Sequence, residues 1–186
     1  SRMRRASRRD RWAASSSSPA SSNLQFLTYG VYELDGPVAS GALSHVGEEA
    51  LLFTLEGRMT VELGGKAFEM DHYDVLYVPR GMIYRIRQQG SRGRIVLCRA
   101  PATAEHPVFH ASWAKFSRDE RRIRHLKGKD VFLMFDVSEG ADKLMAGFTL
   151  FQPGQRSWPP HNHTDQEEIY IFTKGTGAME VYPDEE

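Results

Sequence analysis

From residue 24 onward the chain alternates short apolar runs with glycine, proline and charged breaks, and the runs have strand lengths rather than helix lengths. Residues 24–34 carry strand-like content, and residues 50–55 are an apolar run ended by Glu56-Gly57. Residues 60–63 and 66–70 flank Gly64-Gly65 and predict a hairpin. Residues 74–81, 84–87 and 93–98 continue the series. A turn-rich stretch at 101–107 then marks a boundary, beyond which 131–135, 145–151 and 168–173 again read as strands. Gly175-Thr176-Gly177 separates the last of these from 178–182, which predicts a second hairpin. Many strands with no long helical period between them predict an all-β sandwich or small barrel.

Composition changes this picture mainly at the start of the chain. Residues 1–23 hold an arginine cluster followed by a serine run with nothing apolar to bury, which predicts a disordered basic tail. A targeting peptide or a phosphate-touching arm is the alternative for such a composition. The 186 residues admit one large domain or two small ones, and the formal net charge of +0 supplies no global attraction for nucleic acid. With one cysteine, Cys98, the chain has no intrachain disulfide framework, and no stretch reaches the apolar length of a membrane span. The expectation is a soluble cytoplasmic protein with neither nucleic-acid nor membrane partners. Arg118, Arg121, Arg122, Arg124, Lys127 and Lys129 form a basic segment that reads first as a solvated face and second as a lure for an acidic ligand.

The chemistry concentrates in residues 154–175. Two prolines, Pro159 and Pro160, disfavour helix immediately before His161 and His163, and in an extended chain those two imidazoles share a face. Further on, Glu168, Tyr170 and Phe172 fall on one face, and Glu167, Ile169 and Ile171 on the other. A carboxylate sharing a side with aromatics needs a partner, and a cation is one such partner. Imidazole nitrogens with one carboxylate suit zinc, iron, manganese or nickel in a site that keeps an open position. Glu167 competes with Glu168 for that role but reads better as a solvent-side or outer carboxylate, and Asp165 reads as a loop cap.

The order glycine, His161-Asn162-His163, four residues, Glu168, six residues, Gly175 resembles the first signature motif of the cupin superfamily, with Gly154 one residue farther from His161 than in the commonest form. The wording Pro159-Pro160-His161-Asn162-His163, then Glu167 to Phe172, resembles more narrowly the bicupin sugar isomerases that include 5-deoxy-glucuronate isomerase and 5-keto-4-deoxyuronate isomerase. The resemblance implies a double-stranded β-helix (cupin, jelly-roll-like) in two copies. The first barrel would span 24–102, a basic crossing 103–130, and the opening half of a second barrel 131–186. In the first barrel the motif ligands are missing: His45 stands alone and Tyr84 takes the place of a histidine, so a barrel without metal is expected. His45 and His72 then read as surface or loop residues, while Arg80 and Tyr84 are candidates to line a secondary pocket.

What the resemblance further implies is an aldose–ketose isomerase of a small acidic sugar, working as a homo-oligomer with one divalent metal, zinc first. Its ligands would be His161, His163 and Glu168, with Tyr170 and Glu167 as proton-shuttle candidates. Arg156 would meet the substrate carboxylate, and Trp158 would stack on the sugar or serve as a structural aromatic. An Fe(II) dioxygenase and a sugar-binding bicupin without activity are the alternatives. A further histidine ligand expected from a second motif has no candidate before Glu186. That favours a fragment whose second barrel is truncated at the C-terminus, ahead of completion by another subunit.

Overall fold

The protein is seen in a computed structural model that describes residues 13–17, 24–157 and 161–181. Its largest sheet has the strand order β1 (Ala13–Ser17), β2 (Thr28–Asp35), β9 (Arg92–Pro101), β4 (Glu48–Glu56), β7 (Val75–Val78), β10 (Phe109–Ala111). A second sheet runs β3 (Val38–Ala39), β8 (Tyr84–Gln88), β5 (Met59–Leu63), β6 (Lys66–Met70). The third holds β11 (Ile123–Leu126), β12 (Lys129–Phe135) and β13 (Ala146–Phe151). Every pairing is antiparallel. The predicted hairpin is β5–β6, turning through Gly64 and Gly65, both at positive φ.

The first two sheets face each other across a core that includes Leu34, Leu52, Val61, Met70, Leu76, Tyr84, Ile86 and Ile95. The solvent side of the second sheet shows simple alternation: Tyr84, Ile86 and Gln88 of β8 are buried while Arg85 and Arg87 are exposed. By contrast, β4 and β7 are buried at successive residues because the large sheet is covered on both faces. Ala50, Leu52, Leu76 and Val78 enter the first core; Leu51, Val75 and Tyr77 enter a second core with Met134, Phe135 and Leu144. The unit containing the third sheet therefore packs on the back of the large sheet. Aromatic rings fill that seam, with Tyr77 stacked on Phe135 at 4.8 Å and Trp113 edge-on to Phe132 and Phe148, each at 5.0 Å.

Three expectations change. Residues 13–17 form an edge strand on β2 rather than part of a tail without structure, because strand addition needs only backbone donors and acceptors and not an apolar face; the rest of that tail, residues 1–12 and 18–23, lies outside the described residues. β10, placed by sequence in the crossing segment, pairs with β7 and extends the large sheet. Residues 168–173 and 178–181 are extended in sequence pattern but are not strands, because a strand is made by a ladder partner and none pairs with them among the described residues. Residue 182 lies outside the described residues. Among the described residues no helix is long and apolar enough to cross a membrane.

His45 is half-buried, with Nε2 at 2.8 Å from the Tyr84 hydroxyl and Nδ1 at 3.3 Å from Arg99 Nη1. It is part of a network with Tyr84 and Arg99 and not an ordinary surface residue. Tyr84 is 1% exposed and Arg80 contacts the Ala102 carbonyl and Glu105, so the two do not form a pocket wall. Burial first, and Arg99 next, hold the His45 pKa below its ordinary 6.5, against a smaller opposing effect of Glu48. The unfolded chain thus takes up this proton at higher pH than the folded one. The stability tied to His45 is full above 6.5 and falls as pH drops through that value toward the folded pKa. Thermal midpoints should decline as pH drops below 6.5, and the decline should be shallower in His45→Gln.

Candidate metal and acid–base site

The segment carrying the site enters from β13 through a turn at Gly154 and leaves through a turn at Gly175; both glycines have positive φ, 70° and 81°, where a side chain would be strained. Over residues 167–170 the chain keeps the expected alternation. Glu167 and Ile169 are partly covered, while Glu168 and Tyr170 are exposed on the other side.

On that second side His163 Nε2 lies 3.3 Å from Glu168 Oε2, and the rings of His161 and His163 stand perpendicular with centroids 5.1 Å apart. Partial burial first, and the neighbouring Glu168 carboxylate next, push the Tyr170 pKa up to about 12, so at neutral pH it is a phenol able to donate.

Imidazole and carboxylate are donor types that a divalent cation takes. Two neighbouring ligand atoms on a tetrahedral ion with bonds of about 2.1 Å stand about 3.4 Å apart, close to the His163–Glu168 separation of 3.3 Å. The same distance serves a direct hydrogen bond when the imidazole is protonated. Among the described residues no three or more His, Cys, Asp or Glu side chains are gathered closely enough to enclose an ion. His161, His163 and Glu168 are thus joined pairwise, with His163 in the middle.

The other candidates are occupied elsewhere. Glu167 accepts the backbone N–H groups of Gln25, Phe26 (3.0 Å) and Leu27 (2.7 Å). Desolvation pushes its pKa up, but the three N–H groups outweigh it and hold the carboxyl below its usual value. Arg156 pairs with Glu180 and lines an open cleft of about 680 Å³ with Lys127, Pro153, Gly154 and Gln155. Trp158 lies outside the described residues. His72 stacks on Tyr73 at 3.7 Å, a loop packing contact.

Sequence reading missed Glu49, which is fully buried in β4. It accepts the Tyr77 hydroxyl (2.7 Å) and the N–H groups of Asp142 (2.9 Å), Lys143 (2.6 Å) and Leu144 (2.8 Å), fastening the two units at the seam. A charged residue opening an apolar strand was the available signal, but its partners lie far along the chain. Burial first, then Glu49, drive the Tyr77 pKa upward, so that hydroxyl stays a donor. The Cys98 thiol is pushed up to about 12 by burial and is chemically quiet.

Against known proteins, residues 2–186 match the family model described as the KduI/IolB family. The chain belongs to that family. Among curated relatives, the 4-deoxy-L-threo-5-hexosulose-uronate ketol-isomerase of Opitutus terrae is 29% identical over 125 residues, covering 60% of this chain and 43% of the relative. The 5-deoxy-glucuronate isomerase of Listeria monocytogenes is 25% identical over 156 residues, covering 77% and 56%. The chain therefore spans about half the length of the curated relatives it matches. Two solved structures are similar in fold. An IolB-like protein of Salmonella typhimurium LT2 has a TM-score of 0.61 at 17% identity, with 73% of this chain and 54% of that chain covered. YlbA of E. coli has a TM-score of 0.51 at 15% identity, with 66% and 55% covered. This KduI/IolB chain is all-β and shares its fold with these neighbours.

Proposed function

We propose that this KduI/IolB protein is a metal-dependent isomerase that interconverts aldo and keto forms of a small sugar acid. The observation that carries the reading is the His163–Glu168–Tyr170 chain of contacts beside His161, in a family whose curated members are named as uronate and deoxy-glucuronate isomerases. Isomerisation removes a proton from the hydroxyl-bearing carbon beside the carbonyl and returns one to the former carbonyl carbon, through an enediolate. A divalent cation held by His161, His163 and Glu168, zinc first, would supply stabilisation of the developing oxygen charge. Tyr170 keeps its proton at neutral pH and would orient Glu168 and donate a hydrogen bond. Glu167 is a poor shuttle, because its oxygens are taken up by backbone donors.

Purified protein, chelated and then reloaded with zinc, manganese, nickel or iron, should interconvert 5-deoxy-glucuronate or 4-deoxy-L-threo-5-hexosulose-uronate with its isomer only when loaded. Oxygen consumption with the iron form, or tight uronate binding without turnover in every form, would overturn the assignment. The homo-oligomer belongs to the same reading, and light scattering at assay concentrations tests it.

The basic crossing is not a free cationic lure in this reading. Arg121 pairs with Asp119 at 2.7 Å, Arg122 pairs with Glu139 while lying 4.1 Å over the Phe116 ring, and Arg124 stands 3.8 Å from Asp136. Neutralising Arg118, Arg121 and Arg124 together should leave kcat/KM within about twofold across a salt series. Steering would instead show as a loss at low salt that disappears as ionic strength rises.

A further inference from the structure

The two units carry the same fastening in reciprocal directions. Glu49 of the first unit takes the N–H groups of Asp142, Lys143 and Leu144, which lead into β13; Glu167 of the second takes those of Gln25, Phe26 and Leu27, which lead into β2. The correspondence holds in the sequence as well. His45, Glu49 and Gly57 recur at the intervals of His163, Glu167 and Gly175, and Leu27 precedes Gly30 as Leu144 precedes Gly147. Gly57 and Gly175 both have positive φ, 78° and 81°. In this register Leu43 stands where His161 does, and Ala50 where Glu168 does. The fastening glutamate is therefore present in the unit that lacks two of the three proposed ligands, so its contacts do not depend on them.

Its position beside Glu168 gives it a second consequence in the second unit. Neighbouring residues of an extended chain point to opposite sides. Pinning the Glu167 carboxylate to residues 25–27 turns Glu168 toward His163. Residues 168–173 have no ladder partner among the described residues. This fastening and a 3.0 Å hydrogen bond between the Tyr73 hydroxyl and Thr173 Oγ1 tie this stretch to the first unit.

We propose that Glu167 is a positioning residue for the metal centre: its three backbone hydrogen bonds to the first unit set the direction of Glu168, so that the first unit, which lacks two of the three ligands, governs the metal affinity of the second. This inference rests on the proposed ligand set.

The test compares wild type, Glu167→Gln, Glu167→Asp and Tyr77→Phe, the last loosening the mirror fastening at Glu49. Zinc affinity is measured by competition with a chelator, amide exchange is followed at residues 25–27, and kcat is measured against pH at saturating zinc. Glu167→Gln should bind zinc about 10–100-fold more weakly, with faster exchange at residues 25–27. At saturating metal its kcat and pH profile should be close to wild type. Glu167→Asp should recover part of the affinity, and Tyr77→Phe should lower the thermal midpoint while leaving zinc affinity unchanged. Unchanged affinity in Glu167→Gln overturns the inference alone, as does a lost limb of its pH profile at saturating zinc, which would make Glu167 the proton carrier. A wild type that binds no divalent metal overturns the ligand set, and this inference with it.

Discussion

His163→Ala should lose stoichiometric metal and isomerase activity together, and His161→Ala should do the same. His163 occupies the middle of the chain of contacts, 3.3 Å from Glu168 and perpendicular to His161, so its removal leaves the other two candidates without a shared neighbour. The loss should exceed the roughly 10–100-fold that removal of an outer-shell partner costs, because a ligating atom is deleted and not merely reoriented. His45→Ala and His72→Ala should retain metal and activity, since His45 is engaged with Tyr84 and Arg99, and His72 with Tyr73. Elemental analysis of the four variants, alongside turnover, checks all of this. Equal metal in wild type and His163→Ala would remove the basis of the assignment.

The largest stability effect is expected at Glu49. Truncation to alanine would strand the Asp142, Lys143 and Leu144 N–H groups and the Tyr77 hydroxyl at a fully buried position, with no side chain left to accept from them. Buried donors left without acceptors, at a position that also loses packing, should cost about 3–5 kcal/mol in total. For a chain of this size that is a fall in Tm of about 6–20 °C. Glu49→Gln should fall between, because the amide keeps one acceptor oxygen but turns its NH2 toward donors. Scanning calorimetry with wild type and Tyr77→Phe, which removes one donor only, checks the order. A Tm for Glu49→Ala within a degree or two of wild type would mean that the seam is held by its aromatic and aliphatic contacts alone.

Local periodicity carried much of the architecture. Alternation at residues 84–88, the glycine pair at 64–65 and the apolar run at 50–55 correspond to β8, the β5–β6 turn and β4, because each depends on neighbours within a few residues. Parity also separated Glu168 and Tyr170 from Glu167 before any contact was known, and the structure keeps that separation: one side holds His163, Glu168 and Tyr170, the other reaches back to residues 25–27.

Partners distant in the chain were beyond such reasoning. The burial of successive residues in β4 and β7 looks the same in sequence whether one sheet or two layers cover it, and only the placement of Phe135 and Leu144 on the back of the large sheet shows which. Serine-rich residues 13–17 have no face to bury, yet β2 offers them an open edge. Sequence reading passed over Glu49 and took Glu167 for a solvent-side or outer carboxylate. Their common role follows from three backbone N–H groups more than ninety residues away in each case. By itself, the sequence determined which side chains share a face, because that is a property of one extended strand. Which carboxylate is free to face a cation and which is spent on the backbone was decided by the tertiary structure, because a hydrogen-bond acceptor takes its role from the donors that packing brings to it.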